Sequence, residues 1–131
     1  ALICRVDQGK VQFLLNAKAE PGNIGTFQFA PTLQATWSNL QRAHLGARPA
    51  FADILLGEVP SQLVYSAMHN EEGGRFWKKS NSNQLYLIDP DDTHLDYNRE
   101  HYIWASLSQI KALALIDNIL NPFVKTIIAP L

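Results

Sequence analysis

Apolar and polar side chains alternate through residues 1–7 and again through 10–19, a period that predicts two strands. Gln8-Gly9 between them is a two-residue turn signal, so the pair reads as a β-hairpin with Val11, Phe13 and Leu15 on one face of its second strand. Glu20-Pro21-Gly22-Asn23-Ile24-Gly25 then breaks regular structure, because proline fixes φ and glycine admits positive φ. Residues 26–40 interleave Gln, Thr, Ser and Asn with aromatics. Two short strand segments around Pro31 fit that alternation and a helix does not. Polar side chains at period two share a face, one able to hydrogen-bond sugar hydroxyls or a base, or simply to line a half-exposed edge. Residues 49–56 read as a short helix, with Pro49 near its first turn, Phe51, Ile54 and Leu55 on one side and Gly57 as the stop.

Residues 61–69 alternate again, with Leu63, Tyr65 and Ala67 together, and residues 84–88 form the strand after them. Between the two lies the chain's most polar stretch, from Glu71 to Asn83, with a glycine pair (Gly73, Gly74), the cations Arg75, Lys78 and Lys79, and the aromatics Phe76 and Trp77. It reads either as a solvated turn or as a site for an anionic ligand, in which the glycines let backbone N–H groups approach. Phe76 and Trp77 favour strand, turn and strand over a bare loop tip. The acidic stretch 89–96 has no glycine at its bend and no closing glutamate, so it reads as a solvated loop rather than a calcium loop. Ser106 with Gln109 three residues on is a capping box, opening a helix expected to run to about residue 117 with Leu107, Ile110, Leu113 and Ala114 on one stripe. Residues 118–122 end it, and 123–131 form an apolar tail, either a second short helix or a partner-facing segment.

Composition narrows the classes. The 131 residues are 47% hydrophobic and 18% charged, enough for one core in one domain over residues 1–131. A net charge of −1 gives no bulk attraction to nucleic acid. Cys4 is the single cysteine, which rules out a disulfide framework within one chain and a cysteine-rich metal site, and fits the cytoplasm. No apolar run approaches the ~18 residues of a membrane span, no signal peptide shows, and a start without Met in a strand-like run reads as a piece of something longer. The sequence contains no phosphate-binding loop, no dinucleotide fingerprint, no HExxH and no nucleophile elbow, and its four histidines are scattered; no metal site is assigned.

Taken in order, Glu20-Pro21-Gly22-Asn23; Gln28-x-Ala30-Pro31-Thr32-x-Gln34-Ala35-Thr36-x-Ser38-Asn39; Glu72-Gly73-x-Arg75-Phe76-x-Lys78-Lys79-x-Asn81-x-Asn83; Trp104-x-Ser106-Leu107-x-Gln109-Ile110; and Asn118-x-x-Asn121 resemble the NDP-hexose 2,3-dehydratases of deoxysugar biosynthesis. The resemblance covers nearly the whole chain. It implies a Nudix-like α/β (α+β) domain, a mixed sheet flanked by helices, in an enzyme of two repeats that forms a homodimer. This chain has the length of one repeat, and the glutamate cluster of a Nudix box is not recognisable, so metal-dependent pyrophosphohydrolysis is not implied.

The implied activity is that of a lyase, a dehydratase acting on a nucleotide-linked 4-keto-6-deoxyhexose with no cofactor. A base removes the C3 proton, an enolate forms on the C4 oxygen, and the C2 hydroxyl leaves. The resemblance offers Glu20, Glu71, Glu72 and His44 for proton transfer. It offers Arg42, Arg75, Lys78 and Lys79 for the diphosphate, Gln34, Thr36, Asn39, Asn81 and Asn83 for hydroxyls, and Trp37 or Trp77 for stacking. The competing classes are a non-catalytic Nudix-like binding or dimerisation module of a larger assembly, and a dehydratase of another β-hydroxy carbonyl substrate.

Overall fold

The computed structural model describes residues 1–41, 47–71, 75–91 and 99–131. The expected hairpin is present: β1 (Leu2–Asp7) pairs antiparallel with β2 (Lys10–Lys18), from Ile3 opposite Leu14 to Asp7 opposite Lys10. Gln8 and Gly9 both take positive φ (48° and 73°), the signature of a type I′ turn whose twist suits the strands it joins. β3 (Gln28–Ala30) takes over the pairing with β2 at Asn16, beyond the end of the β1 ladder. The Thr32 hydroxyl bridges that junction. It accepts from Ile3 N at 2.9 Å and donates to the Leu14 carbonyl, and its residue is 1% exposed.

β4 (Gln62–Asn70) and β5 (Ser80–Ile88) form a second antiparallel hairpin, and β5 joins β1 in parallel, with Leu2 opposite Leu85 and Arg5 opposite Ile88. β6 (Tyr102–Ser106) pairs with β2 and completes a six-stranded sheet of order β3-β2-β1-β5-β4 with β6 off that path. β1 has strands on both sides, so Leu2, Ile3 and Cys4 are all buried, and alternate residues feed opposite faces. On one face Leu2, Cys4, Phe13, Leu15 and Leu85 pack with Ile110 of α3 (Leu107–Leu113) and with Val124 and Ile127 of α4 (Pro122–Ile128). On the other face Ile3, Leu14, Tyr86 and Ile88 pack with Phe51 and Ile54 around α2 (Ala52–Leu55). A smaller cluster of Leu33, Leu40 and Ala52 ties α2 to α1 (Trp37–Leu40). The mixed sheet with helices against it is the architecture the sequence led us to expect.

Several expectations need correction. Residues 26–40 hold one strand, not two, and do contain a helix. Pro31 has no N–H to continue the ladder, and Thr36 caps α1 by accepting from Asn39 N at 3.3 Å. The helix expected over 49–56 starts later, after Phe51, which holds φ at 65°. The helix opened by the Ser106–Gln109 capping box ends at Leu113 rather than near 117, because the chain tightens through Leu115 N to Ala112 O and Ile116 N to Leu113 O. Both halves of the box are made: Ser106 N donates to Gln109 Oε1 at 2.8 Å, and Gln109 N donates to Ser106 Oγ at 3.2 Å. The apolar tail is a helix, α4, capped by Asn121. Phe76 and Trp77 do not sit in a strand. They lie in the connection between β4 and β5, where Lys78 takes φ of 54° and Trp77 is 87% exposed.

Candidate functional site

β1 begins to pair with β5 only at Leu85. Residues 80–84 of β5 are bonded to β4 and line a cavity of about 740 Å³. All five, Ser80-Asn81-Ser82-Asn83-Gln84, line it. The opposite wall is the segment from Pro31 to Leu40, which leaves β3 and returns through α1. Leu33 N bonds the Ala1 carbonyl at 3.1 Å, fixing that wall beside the start of β1. The floor includes Phe123 and Ile127 of α4. α4 is anchored there because the backbone before it bonds the outer edge of β3: Phe29 N to Ile119 O at 2.8 Å and Asn121 N to Phe29 O at 2.9 Å.

Two ion pairs border the cavity. Lys18 Nζ meets Glu20 Oε1 at 2.5 Å, and Lys79 Nζ meets Glu71 Oε2 at 2.7 Å. Glu20 opens a type II turn with Pro21 at its first corner and Gly22, φ 96°, at its second; Asn23 N bonds Glu20 O at 3.1 Å, and Asn23 Nδ2 bonds Lys18 O. Glycine is required at that corner, where an L side chain would be strained. Glu71 sits at the end of the β4–β5 hairpin, its N bonded to Lys79 O at 3.0 Å. The Glu71 carboxylate is about four-fifths buried, and its Oε2 touches the Lys79 ammonium as an ion pair without hydrogen-bond alignment. Asn83 is 3% exposed, and its Nδ2 donates to the Asn81 carbonyl at 3.3 Å. Burial raises the phenol pKa of Tyr86, so this wall residue stays a neutral hydroxyl at physiological pH.

Of the residues singled out in the sequence, Glu20, Gln34, Thr36, Asn39, Asn81 and Asn83 share this cavity, together with Trp37, Glu71 and Lys79. Arg75, Lys78 and Trp77 do not line it. They lie exposed in the hairpin connection, with Arg75 5.9 Å from the Phe76 ring and Lys78 5.5 Å from the Trp77 ring. Glu72, Arg42 and His44 lie outside the described residues. Sequence reasoning missed Lys18, Ser80, Ser82, Gln84 and Tyr86. One signal was present, the switch from an all-polar run at 80–84 to an all-apolar run at 85–88 within one strand. Among the described residues no three His, Cys, Asp or Glu side chains gather where they could hold a metal ion. No helix among them is long and apolar enough to cross a membrane.

The chemistry of such a cavity is hydrogen bonding to many hydroxyls, with carboxylates and ammonium groups at hand for proton transfer. The sequence profile described as NDP-hexose 2,3-dehydratase matches residues 1–131. The chain is 33% identical over 128 residues to the dTDP-4-dehydro-6-deoxy-alpha-D-glucopyranose 2,3-dehydratase of Saccharopolyspora spinosa, covering 98% of this chain and 25% of that protein. It is 35% identical over 129 residues to the enzyme of the same name from Streptomyces violaceoruber, covering 98% and 28%. The chain thus spans about a quarter of the length of the curated relatives it matches. Among solved structures it is similar to the Ap4A hydrolase of C. elegans, at 15% identity and a TM-score of 0.42 over 85% of this chain and 80% of that one.

Proposed function

The chain belongs to the NDP-hexose 2,3-dehydratase family, and from that premise we propose that its cavity takes part in removing water from C2 and C3 of a nucleotide-linked 4-keto-6-deoxyhexose. The observation that carries the reading is convergence. The Glu20 turn, the 34–39 segment and the 79–84 strand are far apart in sequence and line one cavity. Their side chains are amides, hydroxyls and two Lys–Glu pairs, the groups a polyhydroxylated sugar and a proton-transfer reaction require.

In the proposed reaction a carboxylate, Glu20 or Glu71, takes the C3 proton, which the C4 ketone acidifies. The bonding pair moves to the C4 oxygen as an enolate, and its collapse expels the C2 hydroxyl, which leaves as water after taking a proton. Lys18 and Lys79, each beside a glutamate, are suited to steady the enolate oxygen or to protonate the departing hydroxyl. Gln34, Thr36, Asn39, Asn81 and Asn83 hold the sugar hydroxyls. Glu72 and His44 remain candidates for proton transfer, and Arg42, Arg75 and Lys78 for the diphosphate. The family resemblance supports a homodimer, testable by light scattering of the full-length protein. Cys4, a single buried thiol, is compatible with a cytoplasmic setting.

The test is mass spectrometry of a panel of NDP-4-keto-6-deoxyhexoses incubated with the full-length protein. Loss of one water from a member of the panel is expected. No mass change across the panel would overturn the proposal.

A further inference from the structure

The chain has three tryptophans, and the structure treats them differently. Trp104 lies under the Arg5 guanidinium, 4.1 Å from its ring. Trp77 projects from the hairpin connection, outside the cavity lining, with Lys78 on its ring. Trp37 borders the cavity and leaves 64% of its surface exposed. Its backbone is fixed: it is the first residue of α1, capped by Thr36, and its carbonyl accepts from Gln41 N at 3.1 Å. A large aromatic face at the border of a polar cavity, on a backbone that is fixed, can serve as a stacking platform. The rest of the lining points to what lies inward. The two lysines each meet a glutamate, so the wall's formal charges cancel. The remaining polar groups are the amides Gln34, Asn39, Asn81, Asn83 and Gln84 and hydroxyls such as Ser80 and Ser82. Such a lining suits a neutral, hydroxyl-rich ring better than a diphosphate, which would face two carboxylates.

Building on the nucleotide-sugar reading above, we infer that Trp37 is the platform for the nucleobase and that the ligand enters sugar first, its hexose among the amides and its base over the indole. Base–aromatic stacking tolerates any base, so Trp37 contributes affinity for the nucleotide half rather than a choice between nucleotides.

The inference is tested with the full-length protein and two probes, TDP, which has a base and no hexose, and a hexose 1-phosphate, which has no base. Trp37→Ala is expected to weaken TDP binding about tenfold or more, to leave hexose 1-phosphate binding unchanged, and to abolish the fluorescence quench that TDP produces. Trp37→Phe keeps a ring and is expected to retain most of the affinity, while Trp77→Ala is expected to bind TDP like the unaltered protein. Circular dichroism of Trp37→Ala checks that the fold is kept. TDP affinity unchanged in Trp37→Ala overturns the inference, and so does a loss confined to the hexose 1-phosphate, which would put the sugar over Trp37. In either case dehydration by the unaltered protein leaves the dehydratase reading standing. If the unaltered protein binds neither TDP nor any member of the keto-sugar panel, both fall.

Discussion

The two halves of β5 are one continuous strand in two different environments. From Leu85 to Ile88 the strand is held between β1 and β4 and is apolar, with Leu85 2% and Ile88 4% exposed. From Ser80 to Gln84 it pairs with β4 and lines the cavity, and every side chain is polar. Asn83 is nearly as buried as Leu85, two residues on and on the same face of the strand, yet it is an amide. A polar group is retained at such a depth only where it finds partners, and the difference teaches that burial alone does not separate framework from cavity here. The apolar half holds the sheet together. The polar half lines the cavity with amides and hydroxyls.

That contrast can be broken at its apolar end first. Leu85→Ala should cost about 2–5 kcal/mol of stability, through lost burial and the cavity left behind; urea denaturation would show it. A loss below about 1 kcal/mol would mean that the apolar half is not framework.

The thiol of Cys4, opposite Leu87 in the parallel register, probes the same region without changing its shape. Burial raises its pKa from 9.0 to about 11. The folded state keeps the proton when the unfolded chain would release it, so the stabilisation is complete below pH 9.0 and is lost as pH rises from 9.0 to about 11. About 2–3 kcal/mol should disappear across that window, and Cys4→Val should flatten this part of the stability profile. An equally steep fall in the variant would assign the loss to other groups.

At the polar end the effect on stability is smallest and the effect on function should exceed it. Asn83→Ala removes one 3.3 Å hydrogen bond to the Asn81 carbonyl, and should cost about 1 kcal/mol of stability. It should also weaken turnover of the keto sugar by about tenfold, one lost hydrogen bond to a hydroxyl. Full activity with lowered stability would make Asn83 framework after all and erase the distinction between the two halves.

What the sequence revealed follows the same division. The Gln8-Gly9 turn, the Glu20-Pro21-Gly22-Asn23 turn and the Ser106–Gln109 box were legible because each is settled by neighbours within a few residues. The eight hydrophilic candidates that share the cavity were legible as types, since amides, a hydroxyl, two carboxylates and an ammonium point to hydroxyl binding and proton transfer, and the family resemblance singled out the blocks most of them lie in. Arg75 and Lys78 were expected at the site as cations for a diphosphate, and Trp77 as a stacking ring. Lys78 takes positive φ there, and these exposed side chains are not part of the cavity lining. Lys18 and Tyr86 were not legible, because nothing near them in sequence states that residues 31–40 and β5 line one cavity.

The parallel register of β1 and β5 also sets an order of assembly. Each hairpin closes between sequence neighbours, a fast step. Joining Leu2 to Leu85 closes a loop that spans most of the chain, and its entropy must be met before the contact gives anything back. Until that step residues 31–40 and 80–84 are not brought to one cavity, which then lacks its second wall. A ligand that needs both walls binds only the finished fold, and by mass action holds the slowest-forming contact of the sheet in place.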